Sequence, residues 1–222
     1  LDGNRFALTV RGFEGDFGQT EKRLETIRLT GVPNYFGPQR FGHHGQNVER
    51  GFSQLGKRAR LPRHKKSIYL SALRSFLFNQ VLAERVTDGS WNRMLDGELA
   101  MLNGTQSIFP VETKDSEIED RCKRLDIHPT GPMPGDNGSQ PGAAVAELEQ
   151  RVLQQWPQLC ELLISQRVQA SRRALRLFTG NLEWRCHDDV LTLGFELPPG
   201  AYATTVLREI LDVSDAKTIH QN

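Results

Sequence analysis

Residues 57–66 read KRARLPRHKK. Lys57, Arg58, Arg60, Arg63, Lys65 and Lys66 crowd cations into one short stretch, broken by Pro62. A second basic run holds Arg167, Arg172, Arg173 and Arg176. Cations at this density suit phosphate binding; the bland alternative is a solvated charged face. Residues 31–42, GVPNYFGPQRFG, add a different chemistry. Three glycines and two prolines exclude regular helix or strand there. Yet the stretch carries Tyr35, Phe36 and Phe41 beside Asn34, Gln39 and Arg40. Flat faces stack on exposed bases, and planar polar groups read base edges or phosphates. Two basic runs and such a loop favour RNA over a bare charged surface. A structural loop, with aromatics plugging the core and polar groups capping it, accounts for the loop equally well.

Other chemistry has weaker support. His43 and His44 are adjacent, so on extended chain they point apart, and no Cys, Asp or Glu is spaced to join them in a metal site. Cys122, Cys160 and Cys186 are far apart, odd in number and without CxxC spacing, which argues against a disulfide framework or structural zinc. No Ser–His or Cys–His pairing, P-loop or GxGxxG can be read. No metal or organic cofactor is expected.

These residues need a frame. Phe6, Leu8 and Val10 alternate with Arg5, Ala7 and Thr9, the period of a half-buried strand. Asn4 and Phe6 then share a face, about 7 Å apart. Thr20–Leu29 reads as helix with Leu24 and Ile27 inward. A long helix from Ser67 to about Arg85 follows the basic run. Residues 94–112 read as a hairpin around Asn103–Gly104, and Lys114–Lys123 as an acidic helix. Pro129–Gly142 is expected to be loop, and Ala143–Phe178 helix interrupted at Trp156–Pro157. Leu182–Cys186 and the alternation Leu191, Leu193, Phe195, Leu197 are strands around Asp188–Asp189. After Pro198–Pro199–Gly200 a last helix carries Ala203, Val206, Leu207, Ile210 and Leu211 inward. Strands at both ends and helices between predict an α+β domain interrupted by a mainly helical insertion.

The totals agree. A chain of 222 residues with 37% hydrophobic residues, 25% charged residues and net charge +1 suits one or two domains with an ample core. Any basic surface must therefore be local. No apolar run approaches the roughly 20 residues of a membrane span, and no signal peptide opens the chain, so a cytoplasmic location is expected. The chain begins at Leu1, not Met, directly on a strand pattern, and a preceding N-terminal portion is expected.

GVPNYFGPQRFG resembles a signature of the TruD family of tRNA pseudouridine synthases nearly letter for letter. GNRFALTVR (3–11) is similar to the family's G-N-x-F strand. YLSALRSFLFNQVLAERV (69–86), PTGPMPG (129–135), ASRRALRLF (170–178) and PPGAYATTVLREI (198–210) match further blocks, in the family's order. The resemblance implies a catalytic α+β domain, here partial, formed by 1–30 and 178–222, with a large helical TRUD insertion domain at 31–177. It implies isomerisation of uridine-13 in the tRNA D arm to pseudouridine, without cofactor, and tRNA as partner. No obligate protein partner is evident. Asn4, Phe6 and Tyr202 match the family's substrate-contacting positions. The RNA-binding set expected from the basic runs and the loop is Asn34, Tyr35, Phe36, Gln39, Arg40, Lys57, Arg58, Arg60, Arg63, Lys65, Lys66, Arg172 and Arg173. The family's nucleophilic aspartate lies in a G-x-K-D motif upstream of the G-N-x-F strand. It is expected ahead of Leu1, so these 222 residues alone are expected to be inactive. Lys114–Asp115 sits in the wrong place to replace it. A non-catalytic RNA-binding fragment or homologue is the alternative.

Overall fold

Alternation of apolar and polar residues makes Asn4–Val10 a strand, β1, and Asp16 starts the helix that follows, α1 (Phe17–Thr30). The Asp16 carboxylate accepts from the N–H groups of Gly18 and Gln19, which adds a turn ahead of the expected Thr20. A computed structural model describes residues 3–57 and 61–211. After α1 come a two-residue strand β2 (Val32–Pro33) and helices α2 (Gln46–Leu55) and α3 (Arg63–Thr87). Strands β3 (Glu98–Leu102) and β4 (Ile108–Val111), helix α4 (Ser116–Lys123) and strand β5 (Ile127–Met133) follow. Helices α5 (Ala143–Leu153) and α6 (Pro157–Ser165) lead to strands β6 (Ser171–Ala174) and β7 (Arg176–Leu177). Strands β8 (Gly180–His187) and β9 (Val190–Leu197) and helix α7 (Ala203–Arg208) finish the described chain. The fold class is α+β.

The chain divides into two compact units: residues up to Val32 together with those from Leu177 onward, and Pro33–Arg176. The chain passes between the units at 32/33 and 176/177.

In the discontinuous unit the sheet order is β1-β9-β8, antiparallel throughout. Register sets Asn4 opposite Leu197 and Phe6 opposite Phe195. Leu191, Leu193, Phe195 and Leu197 are buried with Leu24 and Ile27 of α1 and Val206 of α7. Each such burial stabilises the unit by about 1.5–3 kcal/mol. Phe6, Leu8 and Val10 line the edge of the same core.

The continuous unit holds an antiparallel sheet ordered β4-β3-β5-β6. Helix α3 buries Leu73, Leu77, Phe78, Val81 and Leu82. The hairpin around Asn103–Gly104 and the helix capped by Asp115 are as expected. Four expectations need correction. Helix α2 has no counterpart in the sequence reading. Helix α3 begins at Arg63, not Ser67, because Pro62 is extended and can stand just outside a first turn. Residues 129–133, expected as loop, belong to the buried strand β5. Gly131 explains part of this: a Cβ there would lie 2.8 Å from Leu175 Cδ2 and 3.0 Å from Phe78 Cε2. Finally, residues 171–177 are strand, not helix, so the unit is less helical than expected.

That last error has an electrostatic cause. Arg172 is buried and pairs bidentately with Glu149 of α5, while its Nε donates to Thr130 Oγ1 (3.0 Å). Arg85 pairs with Glu98 (2.9 Å) at 1% and 0% side-chain exposure, and Glu98 also accepts from the Thr130 N–H (3.4 Å). Burial pushes the Glu98 carboxyl above its ordinary range, against the pull of Arg85. Polar side chains thus lie inside the unit, where a hydrophobic pattern cannot be read.

Candidate functional site

The discontinuous unit positions Asn4, Phe6 and Tyr202. Gly3 is required at the head of β1: a Cβ there would stand 2.8 Å from the Leu197 carbonyl oxygen. Asn4 is exposed where the core face of the sheet ends, and Phe6 is half-buried on the same face. The Phe6 ring stacks on Phe195, centroids 5.5 Å apart with planes at 28°. Leu197, opposite Asn4, runs into a tight turn in which the Ala201 N–H donates to the Pro198 carbonyl (3.2 Å). Gly200 takes a left-handed φ of 80° there. Tyr202 leaves this turn extended, half-buried, at the N-cap of α7, with its carbonyl accepting from the Thr205 N–H (3.0 Å). Register and turn thus bring Asn4 and the approach to Tyr202 to one end of the sheet. Phe6 is held rigidly by its partner ring.

The continuous unit carries the loop and the basic residues. Asn34 is buried: its Nδ2 donates to the Ala174 carbonyl (2.8 Å), and its Oδ1 accepts from Arg173 Nη2 (2.6 Å). Phe36 is 6% exposed and meets Phe78 edge-on, centroids 5.5 Å apart. Asn34 and Phe36 therefore fill the places of the structural alternative, pin and plug. Tyr35 is half-buried and Gln39 exposed. Arg40 is half-buried and donates from Nη1 to Ser71 Oγ (2.9 Å). Arg173 is half-buried as well, whereas its neighbour Arg172 is committed to Glu149 inside the unit.

Lys57, Arg63 and Lys65 are exposed and Lys66 half-buried. Arg58 and Arg60 lie outside the described residues. Arg63, Lys65 and Lys66 occupy the first turn of α3, which has no acidic residue and no side-chain cap. Cations at the positive end of a helix are electrostatically unfavourable, so helix stability does not account for them. The sequence reading missed Asn79 on α3, whose Oδ1 accepts from the Phe36 N–H (2.9 Å) and whose Nδ2 donates to the Phe36 carbonyl (3.0 Å). A polar residue set among the apolar positions of a helix was the available signal.

His43 and His44 are exposed, and among the described residues no cluster of three or more His, Cys, Asp or Glu could hold a metal ion. No described helix is long and apolar enough to cross a membrane. A groove of about 600 Å³ opens between β5, α5 and α6, with Glu149 and Arg172 in its lining.

A family model described as tRNA pseudouridine synthase D (TruD) matches residues 1–51 and 44–210. The chain belongs to the TruD family. Among TruD relatives, tRNA pseudouridine synthase D of Methylococcus capsulatus is 43% identical over 214 residues, covering 96% of this chain and 60% of that protein. That of Pseudomonas putida is 45% identical over 217 residues, covering 96% and 61%. That of Nitrosococcus oceani is 44% identical over 221 residues, covering 97% and 61%. The chain thus spans about 60% of the length of these relatives. A solved Methanosarcina mazei structure described as TruD shares the fold, with TM-score 0.68 at 21% identity over 96% of this chain and 69% of that one.

Proposed function

We propose that the protein to which this chain belongs is a tRNA pseudouridine synthase that isomerises uridine-13 in the D arm. Family membership carries the reading, and the local geometry supports it. The discontinuous unit is read as part of the catalytic domain and Pro33–Arg176 as the TRUD insertion. The reaction breaks the N1–C1′ bond, turns the base and joins C1′ to C5; the C5 proton is lost and N1 gains one, so atoms balance without a redox partner. The uridine must first leave its stack, which needs a wall and polar contacts to hold it. Phe6, rigid against Phe195, and Tyr202 supply the wall; Asn4 supplies a hydrogen-bonding amide. We propose no described residue as nucleophile. Asp115 is occupied as the cap of α4, accepting from the Ile118 N–H (2.8 Å).

The tRNA backbone is assigned to Lys57, Arg63, Lys65, Lys66, Arg40 and Arg173, with Tyr35 and Gln39 beside them and Arg58 and Arg60 joining on sequence grounds. Asn34, Phe36 and Arg172 are left out of direct contact because they are buried. A cytoplasmic protein acting on tRNA without an obligate protein partner completes the reading. The test is to incubate full-length protein with a tRNA transcript and map pseudouridine. Product at position 13 supports it; binding without product would leave an RNA-binding homologue.

A further inference from the structure

Arg23 of α1 grips the far end of α7. Its Nε donates to the Glu209 carbonyl (2.9 Å) and its Nη2 to Glu209 Oε2 (2.8 Å). Glu209 is the C-cap of α7, so one guanidinium holds both the backbone and the side chain of the residue that ends this helix. The N–H groups of a guanidinium form a rigid planar fork, so two contacts to one residue fix orientation as well as distance. Helix α7 needs such help. It spans only Ala203–Arg208 and has no side-chain cap bond at Tyr202, its N-cap. A helix this short does not sustain itself, and its place comes from what it packs on. Val206 is buried in one cluster with Leu24 and Ile27 of α1, and Arg23, next to Leu24, adds a polar hold at the helix end.

Stability gains little from the ion pair itself, because the two side chains are 50% and 23% exposed. The carbonyl contact has a different consequence. The last carbonyls of a helix lack partners within it, and a cation there also meets the negative end of the helix dipole. Arg23 supplies both from a neighbouring helix and so fixes where α7 ends. The helix begins beside Tyr202, about 10 Å away along its axis. A shift of about 1 Å in a group that positions substrate is enough to slow a reaction severely. We propose that Arg23 is a positioning residue for Tyr202: it holds α7 through Glu209 and thereby sets the wall against which the flipped uridine rests. The inference rests on the activity proposed above. Arg23 lies outside every sequence block that resembles the family, and only the fold joins it to Tyr202.

The experiment measures single-turnover pseudouridine formation, tRNA affinity and melting temperature with the full-length protein. The variants are Arg23→Ala, Tyr202→Ala and the two together, with Glu209→Gln as a second break in the same contact. Arg23→Ala should lower the rate about tenfold while affinity and melting temperature hardly change. Glu209→Gln keeps the carbonyl contact and should lower the rate less. The double variant should be no slower than Tyr202→Ala alone, because Arg23 acts through that ring. The same loss repeated in the Tyr202→Ala background overturns the inference, since Arg23 then acts on its own. So does an Arg23→Ala protein with the wild-type rate, or one whose rate falls only in step with its melting temperature. In each of these cases wild type still forms pseudouridine and the activity reading stands. A wild-type protein that forms none overturns both. If Arg23→Ala fails to fold, Arg23→Lys replaces it. Lysine lacks the fork, so the loss should be smaller, and it should still vanish in the Tyr202→Ala background. A loss that persists there overturns the inference.

Discussion

Arg172 and Glu149 join β6 to α5 by a bidentate ion pair, with Nη1–Oε2 at 2.8 Å and Nη2–Oε1 at 2.6 Å. Their side chains are 4% and 8% exposed. Arg173, the next residue, is half-buried on the other side of the strand and stacks on Phe36. One arginine of the pair is therefore committed to an ion pair inside the unit while the other lies over an aromatic ring.

Replacing Arg172 with Ala strands the buried Glu149 carboxylate and removes the donors to Thr130 Oγ1 and the Thr130 carbonyl. The loss should be about 3–5 kcal/mol. Chemical denaturation of the variant measures it. A loss under about 1 kcal/mol would mean that the pair is solvated after all.

His128 makes stability depend on pH. Its Nδ1 accepts from Arg176 Nε (2.9 Å), which leaves Nε2–H to donate to Asn103 Oδ1 (3.0 Å). Burial, then the Arg176 charge, lowers its pKa from 6.5 to about 4. The unfolded chain takes up a proton below 6.5, and the folded one only near 4. The contribution is thus complete above 6.5 and is lost as pH falls toward 4, on the order of 3 kcal/mol in all. Glu98, pushed up by burial, works in the opposite sense. The comparison is therefore between wild type and His128→Gln in denaturation curves across that window. The difference should shrink toward acid; a constant difference would refute the assignment.

Gly131→Ala should destabilise the continuous unit by about 1–3 kcal/mol, because its Cβ would meet the cores of β6–β7 and α3 at Leu175 and Phe78. The urea midpoint should drop without a change in the slope of the transition. An unchanged midpoint would show that Phe78 can move aside.

If the proposed activity holds, Tyr202→Ala in the full-length protein should lower the single-turnover rate of pseudouridine formation about a hundredfold while tRNA affinity stays within a few-fold. Equal losses in both would make Tyr202 a binding residue only. Phe6 should behave differently. Because it also stacks on Phe195, Phe6→Ala should reduce stability as well as rate, by about 3 kcal/mol or less given its partial exposure.

Much of the discontinuous unit was legible because one face of its sheet is apolar and the other is not. The alternation in Phe6–Val10 and Leu191–Leu197 survives folding unchanged, and so do the inward Leu24 and Ile27 of α1. Asn4, Phe6 and Tyr202 come from the family blocks and not from periodicity, and their role stays a proposal. What the sequence could not decide lies where tertiary partners override composition. Pro and Gly in residues 129–135 signal loop, yet neighbours on both edges and Phe78 above Gly131 make residues 127–133 a buried strand. Arginines at 172 and 176 signal surface, yet Glu149 and the acceptors around His128 take them inside. Phe36 signals stacking on a base, yet its ring is buried edge-on against Phe78. Periodicity reports which face a side chain prefers in water; only the fold supplies the distant partner that makes a charge or a proline at home in the core.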